Sequence, residues 1–207
     1  MTVRLVAMLL ACAALAGCAV GQKFSYADGY IALLANRSDT PTAVAVLDQR
    51  PYILSRDKRE NFVGLSRGGY GNPFNVTTKS GAPMAADMAA GIVRALEANG
   101  QPAAAVIVLP AEGIEGAKER LKFTRAERQL LFILREWKTD TYEHTGLWFD
   151  VTLDVYDESG ETLASKQISG KEVSGGSIVS AEKDAQKWFS EKVGQLLDNR
   201  DVAAALK

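Results

Sequence analysis

Cysteine and histidine are nearly missing from this chain. Its 207 residues include two cysteines, Cys12 and Cys18, and one histidine, His144. Both cysteines fall within the first eighteen residues, so the rest of the chain has no disulfide framework and must rely on a packed core. A structural or catalytic zinc site usually draws on several His or Cys ligands, which this chain lacks. His144 lies in the polar stretch from Thr139 to Gly146 and reads as a solvated turn residue. No nucleophile motif accompanies it for a Ser-His-Asp or Cys-His arrangement. Long apolar runs are missing too: Leu5 to Leu15 falls short of the roughly 20 residues that a spanning helix needs. Positive charge is not in excess, with 24 Lys and Arg against 25 Asp and Glu. Phosphate binding rests on clustered positive charge, so a nucleic-acid partner is set aside. No cofactor motif, internal repeat or low-complexity tract is visible beyond one glycine-rich segment.

What is present begins at the N-terminus. Met1 to Arg4 carry one positive charge, Leu5 to Leu15 are almost wholly apolar, and Leu15-Ala16-Gly17-Cys18 adds small residues before a cysteine. A charged head, a short apolar core and small residues describe an export signal. Leu15-Ala16-Gly17-Cys18 resembles the lipobox of bacterial lipoproteins. The resemblance implies that residues 1–17 are removed with Cys12, and that Cys18 takes up lipid such as palmitate. Each acyl methylene buried in a bilayer contributes about 0.8 kcal/mol of affinity, so several chains hold a protein almost permanently. Ala19, in place of Asp, resembles an outer-membrane address. The expectation is a periplasmic protein whose first partner is the membrane.

Removing residues 1–17 leaves 190, enough for one domain that buries roughly 70% of its unfolded surface. Residues 18–41 read as a tether and lead-in, with Phe24, Tyr26, Tyr30 and Ile31 to Leu34 able to dock as an arm or edge strand. Residues 42–207 read as a single globular domain with a glycine-rich insertion at 52–82. Thr42 to Leu47 predicts a buried strand. Pro83 opens a helix that Asn99-Gly100 closes with a left-handed cap. Ala103 to Leu109 follows as a strand, parallel to the first through a right-handed crossover. Ile114, Ala117 and Leu121 suggest a short helix.

Leu130 to Trp137 is ambiguous. Thr124-Arg125-Ala126-Glu127 fits a capping box for a helix, while the alternation after Leu130 favours a strand, the preferred reading. Leu147 to Tyr156 alternates cleanly, with Trp148, Asp150, Thr152, Asp154 and Tyr156 on a wet face. Asp157 to Gly160 turns into a weaker edge strand over 161–168. A stripe from Ala181 to Leu197 predicts the last helix, with a possible final turn over 201–206. The predicted fold class is α+β: a mixed sheet of about five strands, helices packed on one face, in the order β-α-β-α-β-β-β-α.

Val44-Ala45-Val46-Leu47-Asp48-Gln49-Arg50, the helix ending at Asn99-Gly100, the hairpin from Val151 to Gly160 and the terminal helix occur in a familiar order. They resemble the YajG-like family of bacterial lipoproteins. More loosely they are similar to the periplasmic α/β domains of LpoB, CsgG and the N-terminal part of TolB. The match covers most of the chain after Cys18, in arrangement more than in identity. The first family implies location and fold; the looser relatives imply envelope scaffolding or partner activation.

Candidate chemistry is sparse. Asp150 and Asp154 could pose as paired carboxylates, but acid–base work needs their pKa values driven apart, and a wet strand face does not do that. Gly64-Leu65-Ser66-Arg67-Gly68-Gly69-Tyr70-Gly71-Asn72 lacks the Lys-Ser/Thr that must open a helix in a phosphate loop. The same segment carries Phe62, Arg67, Tyr70 and Phe74, residue types enriched at interface anchors, and predicts a docking loop. Trp148 and Tyr156 could form a second contact patch, unless an element such as residues 24–34 covers them. The preferred function is a non-enzymatic module that binds an envelope protein or cell-wall component. A deep pocket gathering Asp48, Arg50 and Arg67 would favour an enzyme instead. A large self-complementary apolar surface would favour a structural oligomer subunit.

Overall fold

The structure is a computed structural model that describes residues 21–28 and 38–207. The expectations for Cys12, Cys18, Tyr30 and Ile31 to Leu34 lie outside the described residues. Among the described residues, eight strands form one mixed sheet, and five helices pack on it. The strands are β1 (Lys23–Phe24), β2 (Thr42–Asp48), β3 (Phe62–Arg67), β4 (Pro73–Thr78), β5 (Ala103–Val106), β6 (Arg128–Thr141), β7 (Thr145–Asp157) and β8 (Thr162–Ser174). The helices are α1 (Pro51–Leu54), α2 (Met84–Ala98), α3 (Gly113–Phe123), α4 (Ala181–Leu197) and α5 (Arg200–Ala205).

β6 organises the sheet. One edge pairs with β7 in antiparallel fashion along the strand. The other edge takes β2 in parallel over Arg128 to Leu134, then β3 in parallel over Thr139 to Thr141. The handover falls at a bulge between Leu134 and Glu136. There Arg135 is the extra residue, and its guanidinium donates to Thr152 Oγ1 at 2.6 Å. Bulges bend a strand and re-aim its side chains. β5 lies beyond β2, parallel to it as expected, and β8 lies beyond β7.

The five-strand expectation is corrected in three places. Residues 52–82 are not an unstructured insertion: they supply α1 and the β3–β4 hairpin. A bulge between Phe62 and Gly64 breaks the alternation that would have marked β3 as a strand. The lead-in contributes β1, parallel to β4, and sends Phe24 and Tyr26 into the core as an arm. Helices also cover both faces. α2, α4 and α5 share one core with Val44, Val46, Leu130, Phe132 and Trp137. On the opposite face, Ala117 and Leu121 of α3 pack with Ala43, Ala45, Leu47, Leu131 and Ile133. The chain order is therefore β-β-α-β-β-α-β-α-β-β-β-α-α.

Both-sided burial explains the ambiguity at Leu130. A strand covered on each face reads as a continuous apolar run and not as an alternation. Thr124 caps the end of α3, and Arg125 takes φ +55°, so the apparent capping box starts no helix. The predicted end of α2 is present in full. Gly100 sits at φ +86°; its N–H donates to Glu97 O at 2.9 Å, and Gln101 N–H donates to Leu96 O at 2.9 Å. That pair of reversed bonds satisfies carbonyls that the helix end would leave open. Gly91 leaves α2 bare where the arm crosses it: a Cβ there would stand 2.6 Å from Tyr26 O.

Candidate functional site

Two arginine–aspartate pairs define the chemistry of the molecule, and they lie in different places. β2 ends at Asp48, and the chain turns immediately, so Arg50 folds back over it. Arg50 Nε donates to Asp48 Oδ1 at 2.8 Å and Nη2 donates to Oδ2 at 2.7 Å. Nη1 donates to Phe62 O at 3.0 Å and to Trp137 O at 2.9 Å. The side chains are 0% and 2% exposed. Burial alone would lower the arginine's pKa, but the carboxylate contact outweighs it and holds the group above its ordinary value. One guanidinium thus ties β2, β3 and β6 together. Tyr52 extends the network, its hydroxyl donating to Glu136 Oε1 at 2.6 Å, and burial pushes its pKa up.

Arg67 joins neither residue. It pairs with Asp140 instead, Nε to Oδ1 at 2.8 Å and Nη2 to Oδ2 at 2.6 Å. The three residues of the enzyme alternative are therefore not gathered into one pocket. Asp48 and Arg50 are turned on each other inside the fold.

The Arg67–Asp140 pair stands at one end of the sheet, where two hairpins meet. Gly68 to Asn72 connect β3 to β4; Gly68 N–H donates to Asn72 O at 3.0 Å, and Gly71 adopts φ +79°. Tyr142 to His144 connect β6 to β7, and Tyr142 OH donates to Gly69 O at 3.4 Å. The tips present Tyr70, 98% exposed, and Tyr142, 48% exposed. Beside them lies a shallow, open basin of about 250 Å³ lined by Arg67, His144, Trp148, Lys171 and Val173. Lys138, Trp148 and Lys171 stand directly opposite one another across β6, β7 and β8. Both ammonium groups lie over the indole, at 5.4 and 4.6 Å from its centre.

The predicted docking residues divide. Tyr70 projects from the tip and Arg67 braces it. Phe74 is half-buried, and a Cβ at Gly68 would stand 3.2 Å from its ring. Phe62 is buried with its ring edge-on to Tyr52 at 5.6 Å, so it faces inward. The predicted second patch divides as well. Trp148 is half-exposed, while Tyr156 is buried in the core under α3. Its cover is α3, and the described part of the arm sends Phe24 and Tyr26 into the opposite core. Asp150 and Asp154 accept from Gln167 Nε2 at 2.7 Å and Ser165 Oγ at 2.5 Å on β8, each with its own partner. Lys79 pairs with Glu182 at 2.7 Å, far from the glycines that suggested a phosphate loop. Among the described residues, no group of three or more His, Cys, Asp or Glu could hold a metal. Among them, too, no helix is long and apolar enough to cross a membrane.

Sequence reasoning missed an apolar slot between α2 and β5. It holds about 210 Å³ and is lined mainly by apolar residues, among them Val46, Ala85, Ala89, Ala105 and Ile107, with Asp48 and Glu60 also on its lining. The signal was available as the uncharged run from Ala103 to Leu109, which reads equally well as a buried strand.

No family model and no curated protein matches the chain. Solved structures do. The fold is similar to that of protein XCC0632 from Xanthomonas campestris, of the family DUF330, with TM-score 0.52 and 14% identity. That match covers 85% of this chain and 94% of the other. The chain is also similar to the PelC dodecamer from Paraburkholderia phytofirmans, at TM-score 0.43 and 15% identity over 82% and 90% of the two chains. A third is the lipoprotein GNA1162 from Neisseria meningitidis, at TM-score 0.35 and 16% identity over 77% and 99%. At 14% identity the first comparison establishes a shared mixed α+β fold, and the fold alone.

Proposed function

We propose that this chain is a lipid-anchored protein of the bacterial envelope that works by binding, with the joined hairpin end of the sheet as its contact surface. Cys18 carries the lipid, the domain faces the periplasm, and Ala19 directs it to the outer membrane. The support for the anchor is the charged head, short apolar core and Leu15-Ala16-Gly17-Cys18 of the sequence. The observation that carries the binding reading is Tyr70, almost fully exposed on a tip that the Arg67–Asp140 pair and the Tyr142–Gly69 bond hold in place. An exposed aromatic on a braced turn offers contact area with little entropy to lose on binding. A shallow, open basin lined by aromatic side chains and by charges of both signs suits a surface partner better than a small substrate, which favours an enclosed cleft.

Two measurements test this. Mass spectrometry of the protein isolated from membranes should find Cys18 as an acylated N-terminus; an intact Met1 ends the anchoring claim. A photo-reactive residue in place of Tyr70 should trap an envelope protein or cell-wall fragment in intact cells. Adding Tyr142→Ala should abolish the capture without lowering the melting temperature. If nothing is trapped from position 70, the hairpin end is not the contact surface.

A further inference from the structure

The β3–β4 hairpin differs in chemistry at its two ends. The tip holds Tyr70. At the base, Arg56, Lys58 and Arg59 stand beside a shallow basin of about 420 Å³, lined also by Asn75 and Thr77, with Asp57 its carboxylate. The same three cations line a second open basin, of about 530 Å³, together with Glu60. Lys58 is held in place: Nζ donates to Asn75 Oδ1 at 2.7 Å and lies 4.9 Å from the centre of the Phe62 ring. Asp57 accepts from Ser55 Oγ at 2.7 Å. Arg56 and Arg59 are exposed, and neither guanidinium has an ion-pair or hydrogen-bond partner among the described residues. Arg56 also takes φ +63° just past the end of α1, where its N–H donates to Ile53 O at 3.0 Å. Glycine would hold that position with the least strain. Arginine there sets a free charge beside the basin.

The basin borders the point where the chain enters the fold. Phe62, Thr77 and Lys23 lie directly opposite one another across β3, β4 and β1, and Lys23 is exposed. Strands stand about 5 Å apart, so Lys23 flanks the basin that Thr77 lines. Only five links join Lys23 to Cys18, no more than the length of an ordinary strand.

Given the lipid anchor proposed above, we infer that this basic basin seats the phosphate of an anionic phospholipid in the bilayer that holds Cys18. The occupant follows from charge and reach. Three cations against one carboxylate favour a phosphodiester, and two of the three have no partner inside the fold. A lipid at Cys18 keeps headgroups beside the basin at every moment, whereas a free anion has to be gathered from solution. Each basic side chain near an anionic leaflet adds to the attraction, and Lys23 makes a fourth. The domain then lies on the bilayer by β1 and the base of the hairpin. Tyr70, at the far end of β3 and β4, stays free for its own partner.

The full chain, isolated with its lipid from membranes, is placed in vesicles of phosphatidylcholine alone or mixed with phosphatidylglycerol. Acetylation of each lysine by a water-soluble reagent, read by mass spectrometry, tests the contact. Phosphatidylglycerol should slow Lys23 and Lys58 on the order of 5-fold and leave Lys122, exposed on α3, unchanged. High salt should remove the difference. Arg56→Gly with Arg59→Gln should remove most of it and keep the melting temperature, since glycine suits the left-handed position. Inorganic phosphate added to the phosphatidylcholine vesicles should leave every rate as it was. Equal rates on both bilayers, in an acylated and vesicle-bound chain, overturn the inference and leave the anchor standing. So does a difference that survives the double variant, or free phosphate that slows Lys58 as the lipid does. A chain whose Cys18 is unmodified and which stays in solution ends the anchor reading, and this site with it.

Discussion

Arg50–Asp48 and Arg67–Asp140 have nearly the same geometry and opposite surroundings. Each is a two-pronged pair with both contacts between 2.6 and 2.8 Å. The first is sealed inside the fold; the side chains of the second are 36% and 17% exposed. Contact distance therefore says little about what a pair contributes. Inside, the attraction is hardly screened, yet two charges have been stripped of water, and removing either leaves the other stranded. At the hairpin end, solvent and salt screen the pair, and its contribution to folding is small. The buried pair belongs to the architecture. The exposed pair fixes an orientation.

The sharpest way to break that contrast is Arg50→Met. It strands Asp48 and takes the guanidinium donor from Phe62 O and Trp137 O, so a loss of about 3–5 kcal/mol is expected in urea denaturation. Adding Asp48→Leu should restore part of it, because an apolar pair of similar size carries no stranded charge. A single variant within about 1 kcal/mol of wild type contradicts the account. Next comes Gly64→Ala. Its Cβ would collide with the backbone of Thr139, where β3 and β6 touch most closely. A loss of about 1–3 kcal/mol is expected, and it separates steric fit from the Arg50 tie as the bond between those strands.

Arg67→Ala should hardly move the melting temperature, but it should free the tip, read as sharper tyrosine resonances for Tyr70. A tip equally ordered without Arg67 would mean that the Tyr142 bond suffices. The smallest effect concerns Asp87, buried with one oxygen bonded to Ser80 Oγ at 2.8 Å and the other unpartnered. Burial raises its pKa above the usual 3.8, so the folded state holds the proton more tightly than the unfolded state. Its contribution to stability is therefore present at low pH and lost as pH rises through the raised value. Asp87→Asn should gain on wild type over that window and level off above it. A gap that stays constant from about pH 3 to about pH 8 contradicts the assignment.

Much of the frame was legible in the chain. The clean alternation from Leu147 to Tyr156, the cap at Gly100 and the stripe from Ala181 to Leu197 each follow one local rule, and each appears where predicted. What escaped depends on distant partners. β3 and β4 are strands because β6 needs a neighbour beyond its bulge, a fact with no local signature among so many glycines. α3 covers the face opposite the other helices because β2 and β6 are apolar on both sides. For the candidate site, Arg67 and Tyr70 were visible as residue types. Their bracing was not, since Asp140 and Tyr142 come from another hairpin more than seventy residues away. Phe62 looked the same as Tyr70 in sequence and differs only in which way the hairpin turns it.

The docked arm sets the reach of the whole molecule. β1 fixes Lys23 to the sheet, and only four residues separate Lys23 from Cys18. Five links, fully extended, span at most about 18 Å. On the lipid anchor proposed at Cys18, the domain would ride against the bilayer on a short leash and could not sweep the periplasm. Whatever it met would have to be at the membrane already, or come to it.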